Sequence, residues 1–169
     1  MGKGEGIMRL YLVRHGKAEF GPQDADRRLS PRGRADVEAM AKHLRSQEIS
    51  VSRMVHSTLA RARETAEILA ANIAPGVTPE ELEGIEPWGN VKAFGALVDK
   101  WGEDTMVCGH EPFMGEAASY LITGQQNANL VTVKTGSVMA LSRNPFGDGW
   151  QMRWMIKPRL VRGPKMAED

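Results

Sequence analysis

Short apolar runs recur along this chain, and most are followed by a polar loop and then by a stretch with helical periodicity. Met8 to Val13, Val51 to His56 and Thr105 to Cys108 are short, mostly apolar and bounded by turn residues, so they read as buried strands. Between them lie amphipathic stretches. Ser30-Pro31 supplies an N-cap and a proline at the first helical position, and Val37, Met40, Ala41 and Leu44 share one helical face. Leu59 to Ile73 places Ala62, Ala66, Leu69 and Ile73 on one stripe. Asn90 caps a third helix carrying Val91, Phe94, Val98 and Trp101, and Pro112 opens a fourth that Gly124 stops. Ser137 to Leu141 and Trp150 to Ile156 complete the strands, the last with one more exposed face. The alternation predicts an α/β fold: a three-layer α/β/α sandwich with a mostly parallel central sheet.

Composition sets the outer bounds. A chain of 169 residues predicts one domain, over residues 8–160, with flexible tails at 1–7 and 161–169. The 22 Lys+Arg and 21 Asp+Glu leave a net charge of +1, and aromatic residues make up only 6%, so neither counterion release nor base stacking supports a nucleic-acid partner. The single cysteine, Cys108, excludes an internal disulfide framework and a multi-cysteine zinc site. No apolar run approaches the ~18 residues of a membrane span, and Met1 to Gly6 lacks an apolar signal core, so the expectation is a cytoplasmic protein with no membrane partner. The near-neutral total hides an asymmetry: ten of the fourteen arginines precede Glu64. Such clustering suits a local anion site built from the early segments.

Ligands of open α/β sheets gather beyond the carboxyl ends of the strands. Three loops stand there by the strand assignments: Arg14-His15-Gly16, Ser57 to Arg61, and Gly109-His110-Glu111. If their strands run parallel, the loops meet. Two histidines beside glycines would then converge with arginines, the residues best matched to bidentate phosphate contact.

The residues in those loops carry a resemblance. Leu12-Val13-Arg14-His15-Gly16, Arg27-Arg28-Leu29-Ser30-Pro31-Arg32-Gly33, Ser57-Thr58-Leu59-Ala60-Arg61-Ala62-Arg63-Glu64-Thr65 and Val107-Cys108-Gly109-His110-Glu111-Pro112 resemble, in order, the motifs of the histidine phosphatase superfamily. The short chain and the G-H-E-P form are most similar to its SixA-type phosphohistidine phosphatases. The resemblance implies a phosphoglycerate mutase-like fold. It implies His15 as the nucleophile that carries a transient phosphoryl group. Arg14, Arg61 and His110 would bind the phosphoryl oxygens, with Arg27 as a further pocket arginine and its neighbour Arg28 as the alternative. It further implies no metal and no cofactor. The substrate would be a phosphorylated histidine phosphotransfer protein of bacterial signalling or, as the alternative, a small phosphate ester; the enzyme would act as a monomer.

A general acid is harder to place. Glu83 and Glu86 are the candidates, yet neither matches the acid motif of the larger families. The conjugate acid of imidazole has a pKa of ~6.5, so a phosphohistidine ring can be pre-protonated and leave as neutral imidazole, whereas an alkoxide needs a proton in the transition state. Weak evidence for an acid therefore favours cleavage of an N–P bond. Other candidates have plainer readings: Arg34 and Arg63 as surface helix residues, His56 as a structural histidine, Ser57 as a helix cap, and Cys108 as a small buried strand residue.

Overall fold

The structure, a computed structural model, describes residues 7–163. Its six strands are β1 (Arg9–Arg14), β2 (Arg53–His56), β3 (Glu80–Glu81), β4 (Thr105–Gly109), β5 (Val138–Arg143) and β6 (Trp150–Ile156), in sheet order β3-β2-β4-β1-β5-β6. β1, β2, β3 and β4 pair in parallel, and β5 runs antiparallel to both β1 and β6. The helices are α1 (Pro31–Ser46), α2 (Ala60–Ile73), α3 (Val91–Val98), α4 (Phe113–Thr123) and α5 (Pro158–Arg162). This is the three-layer α/β/α arrangement with a mostly parallel sheet.

The period-two alternation of strand side chains divides the core between the two faces of the sheet. Tyr11 and Val13 of β1 join Met106 and Cys108 of β4 in a cluster roofed by Val37, Met40 and Leu44 of α1 and by Leu69 and Ile73 of α2. Their neighbours Leu10, Leu12 and Val107 point the other way, against Phe94 and Val98 of α3 and Phe113, Met114 and Ala117 of α4. Both faces of β1 are therefore dry. Truncating a fully buried leucine such as Leu12 would cost about 2–5 kcal/mol.

Local signals fix the helix ends. Ser30 Oγ accepts from the Gly33 N–H at 3.0 Å and Asn90 Oδ1 accepts from Ala93 N–H at 2.9 Å, so both expected N-caps form. Gly124 ends α4 at φ 73°, in the left-handed region. Close packing also explains two glycines around the first loop. A Cβ on Gly16 would come within 2.7 Å of Val37 Cγ2, and one on Gly33 would overlap the Lys17 carbonyl. α1 can thus lie directly against the turn that follows β1.

Three features differ from the sequence reading. The polar loop 17–29 is closed at its base by an Ala18–Leu29 bridge and contains a short 3-10 turn, Asp24–Asp26. The two-residue β3 lies in a segment read as a plain connection; its glutamates are exposed and offer no apolar alternation. The expected domain end at residue 160 falls inside α5, which runs to Arg162 because Pro158 opens it, Val161 packs on the core and Arg162 Nε donates to Asp36 Oδ1 at 2.9 Å. Residue 7 precedes β1, and the remainder of both expected tails, 1–6 and 164–169, lies outside the described residues. No helix among the described residues is long and apolar enough to cross a membrane.

Candidate active site

Parallel pairing brings the three loops to one edge of the sheet. Arg14 at the end of β1 pairs with Gly109 at the end of β4, and His56 at the end of β2 pairs with Cys108. The backbone leaving β1 is held on both flanks. The His15 N–H donates to the Gly109 carbonyl at 2.8 Å, and the Gly136 N–H donates to the Arg14 and His15 carbonyls at 3.0 Å each. The histidines of the loops after β1 and β4 are consequently close: the rings of His15 and His110 have centroids 4.9 Å apart and are tilted by 53°. They are 8% and 1% exposed.

His15 has a defined tautomer. Its Nδ1 lies 2.6 Å from the Gly16 carbonyl, which can only accept, so Nδ1 carries the proton and Nε2 is left unprotonated as an acceptor. Arg61 Nε donates to that Nε2 at 3.3 Å. Burial is the main reason the ring's pKa falls from 6.5 to about 4. The Gly16 carbonyl pulls it upward, and Arg61, Arg14 and Arg27 push it down. At neutral pH the imidazole is uncharged and its Nε2 is available.

His110 is fixed by Ser57, whose Oγ lies 2.5 Å from His110 Nε2 and also accepts from the Leu59 N–H at 3.2 Å. Ser57 does not cap α2, whose N-cap is Leu59 with no side-chain cap bond; contrary to the sequence reading, its hydroxyl holds the turn that enters the helix and orients a histidine. Burial, then the neighbouring His15, Arg61 and Arg14, pushes the His110 pKa down to about 2. His110 Nδ1 is buried with no hydrogen-bond partner, and so is Arg14 Nε. Buried polar atoms are nearly always paired, so these two mark where a further polar group fits.

Three arginines bring positive charge to the His15 ring, and Arg61 touches it. Arg61, 5% exposed on the first turn of α2, directs Nη1 to the Asp24 carbonyl at 2.9 Å and Nη2 to Asp24 Oδ2 at 3.3 Å. Arg27 donates from Nε to the Glu19 carbonyl at 2.7 Å and from Nη1 to Asp24 Oδ1 at 3.1 Å. Arg27, not the exposed Arg28, is the member of this pair that reaches the cluster. Arg14 Nη1 donates to the Val133 carbonyl at 2.8 Å. Burial lowers the Arg14 pKa, with Glu111 pulling the other way.

The remaining candidates are engaged in other contacts. Both oxygens of the buried Glu86 accept hydrogen bonds, Oε1 from Thr58 Oγ1 at 3.0 Å and Oε2 from the Gly84 N–H at 2.8 Å. Glu83 is exposed. Arg34 pairs with Glu64 at 2.6 Å and Arg63 with Glu67 at 3.8 Å. His56 Nδ1 meets the Ser57 carbonyl at 2.8 Å, a strand-end structural contact. Burial raises the Cys108 thiol pKa far above its ordinary value. Among the described residues, no group of three or more His, Cys, Asp or Glu side chains is arranged to hold a metal ion.

Sequence reasoning missed two contributors. Asp24 is an acid three residues before a pocket arginine, a spacing that is informative only once the loop is known to fold back. Glu111 accepts from the Gly115 N–H at 2.6 Å and from the Val133 N–H at 3.3 Å, and thereby fixes the segment whose carbonyl holds Arg14. Its place within the G-H-E-P motif is the signal that could have exposed it.

Residues 10–90 match the family model of the histidine phosphatase superfamily (branch 1), and the protein belongs to that superfamily. An uncharacterized protein of Picosynechococcus sp. is 33% identical over 139 residues, covering 78% of this chain and 83% of the relative. The phosphohistidine phosphatase SixA of Escherichia coli is 25% identical over 153 residues, covering 86% of this chain and 93% of that protein. The fold matches a solved structure of the protein histidine phosphatase SixA complexed with tungstate at a TM-score of 0.81 and 22% identity, over 91% of this chain and 99% of the other.

Proposed function

We propose that this phosphatase removes phosphoryl groups from phosphohistidine borne by proteins, with histidine phosphotransfer proteins as the substrate class, and that His15 is the nucleophile. One observation carries the reading. The proton of His15 is held on Nδ1 by the Gly16 carbonyl, while Nε2 faces Arg61 in a cluster that also contains His110, Arg14 and Arg27.

In the first step the Nε2 lone pair of His15 attacks phosphorus. A new P–N bond forms to His15 as the P–N bond to the substrate ring breaks. The departing ring, protonated on its other nitrogen, leaves as neutral imidazole, so this step needs no carboxylate acid. Phosphorylated His15 is a cation with Nδ1–H still on the Gly16 carbonyl, which stabilises that charge. In the second step water attacks phosphorus, the P–N bond to His15 breaks, and inorganic phosphate departs.

Arg14, Arg27 and Arg61 supply positive charge to the equatorial oxygens, where phosphoryl-transfer charge collects. With the Ser57 hydroxyl proton given to His110 Nε2, the ring proton of His110 sits on Nδ1 and can donate to a phosphoryl oxygen. Arg14 Nε, also unpaired, is a second donor of this kind. These groups provide the electrostatic work that a metal ion does elsewhere, so activity should survive chelation.

The use of both Glu86 oxygens as acceptors, one from Thr58 and one from the Gly84 N–H, and the exposure of Glu83 support an N–P substrate over an alkyl phosphate ester. The test is direct competition between substrates. The enzyme should strip label from a phosphorylated histidine phosphotransfer domain in the presence of EDTA. Slow loss of that label beside fast turnover of a sugar phosphate would replace this reading with the small-molecule phosphomonoesterase.

A further inference from the structure

Asp24 stands where an anion would. Its two carboxylate oxygens divide between two guanidiniums, Oδ1 to Arg27 Nη1 at 3.1 Å and Oδ2 to Arg61 Nη2 at 3.3 Å, and Arg61 in turn touches the Nε2 of His15. The side chain of Asp24 is 55% exposed while that of Arg61 is 6% exposed, so the carboxylate approaches the pocket from the solvent side.

We propose that Asp24 is a built-in competitor for the phosphoryl group: its carboxylate bridges Arg27 and Arg61 in the free enzyme, and an incoming phosphoryl group displaces it. The inference rests on the reading of this cluster as the phosphoryl pocket and goes beyond it.

Three observations support displacement over permanent anchoring. First, each guanidinium has a contact that does not need the carboxylate. Arg27 Nε is held by the Glu19 carbonyl, and Arg61 keeps its Nε on His15. Second, the loop is fixed at its base and free at its tip. The Ala18–Leu29 bridge and the Glu19 N–H to Arg28 carbonyl bond close the stem, whereas the 3-10 turn bearing Asp24 contains no buried residue. Withdrawing the tip therefore exposes little apolar surface. Third, charge favours the exchange. A carboxylate brings one negative charge, and a phosphoryl group brings up to two on three oxygens in the geometry that arginine forks match. The latch would thus select for doubly charged phosphoryl groups over singly charged anions. It would also keep a cluster of three arginines compensated between turnovers.

The cost of a latch is apparent affinity, because a site that is open a tenth of the time binds about tenfold more weakly than the open site itself. The experiment is calorimetric titration of inorganic phosphate into the whole protein, its D24N variant and the R61A forms of both. D24N removes the charge from an exposed side chain and leaves the backbone carbonyl that Arg61 also uses. The expected result is phosphate binding about tenfold tighter in D24N than in the parent, with R61A weakening both. An Asp24→Ser variant, which cannot bridge the two guanidiniums, should behave like D24N. Unchanged or weaker binding in D24N and Asp24→Ser, with R61A still weakening the parent, would overturn the latch and leave the phosphoryl pocket standing. Absence of R61A-sensitive binding in every form would remove the pocket reading and the latch together.

Discussion

Arg61 Nε lies 3.3 Å from His15 Nε2, and the same guanidinium reaches Asp24 with both of its other nitrogens. One side chain therefore addresses the attacking atom and the anion position at once. R61A should lower kcat/KM for phosphohistidine by about 10²–10³-fold, the usual loss for a preorganised donor at developing charge. R61K should recover little of it, because an ammonium cannot hold the fork geometry. A lysine variant with near-parental kinetics would show that only charge matters at this position.

Ser57 should matter through His110. S57A leaves the buried Nε2 of His110 without its partner and removes the acceptor for the Leu59 N–H. Unfolding in urea should show a loss of about 1–3 kcal/mol. Turnover should fall about ten- to a hundredfold from a misplaced ring. Threonine at 57, which keeps a hydroxyl, should restore most of both. Equal loss in the alanine and threonine variants would count against a hydroxyl role.

The two glutamates separate the substrate readings. E83Q should change phosphohistidine turnover less than twofold, because the carboxylate is exposed and solvent screens its charge. E86Q should cost about 1–3 kcal/mol of stability, since one of its two accepting oxygens is replaced by a donor. If E86Q instead abolishes alkyl phosphate hydrolysis while sparing activated aryl phosphates, Glu86 is a general acid and the enzyme is a phosphomonoesterase.

Acid should destabilise the fold through its buried histidines. Burial is the chief cause of the fall in His15 pKa from 6.5 to about 4, and the arginines add to it against the pull of Gly16. Above pH 6.5 neither the folded nor the unfolded chain protonates this ring, and below pH 4 both do. Between those values the unfolded chain binds more protons, so stability falls as pH falls. The gap is worth on the order of 3 kcal/mol. His110 acts in the same direction and extends the decline further into acid. Urea unfolding at pH 7 and pH 4.5 should show a smaller acid loss for H15Q than for the parent. Parallel losses would mean that His15 ionises normally in the folded chain.

How much of this was legible from residues alone follows physical lines. The strand Met8 to Val13 could be read because burial on both faces leaves a dense apolar run. Ser30 and Asn90 announced their helices through local capping chemistry. His15 and His110 were placed together by one assumption, parallel strands, which the sheet bears out. The contacts of Asp24 and Glu111 were not legible. They depend on backbone carbonyls and N–H groups brought close by loops, and neither periodicity nor composition records where a loop returns. β3 was missed for a related reason, since two exposed glutamates are held in place only by their neighbour β2.

The central claim is that His15 takes the phosphoryl group onto its own ring. Rapid acid-free quenching of the enzyme during turnover of a ³²P-labelled histidine phosphotransfer domain, followed by peptide mapping, tests it most directly. The account predicts acid-labile, base-stable label on the peptide containing His15, absent in the H15Q variant. Turnover with no labelled enzyme, or label on any other residue, would contradict it.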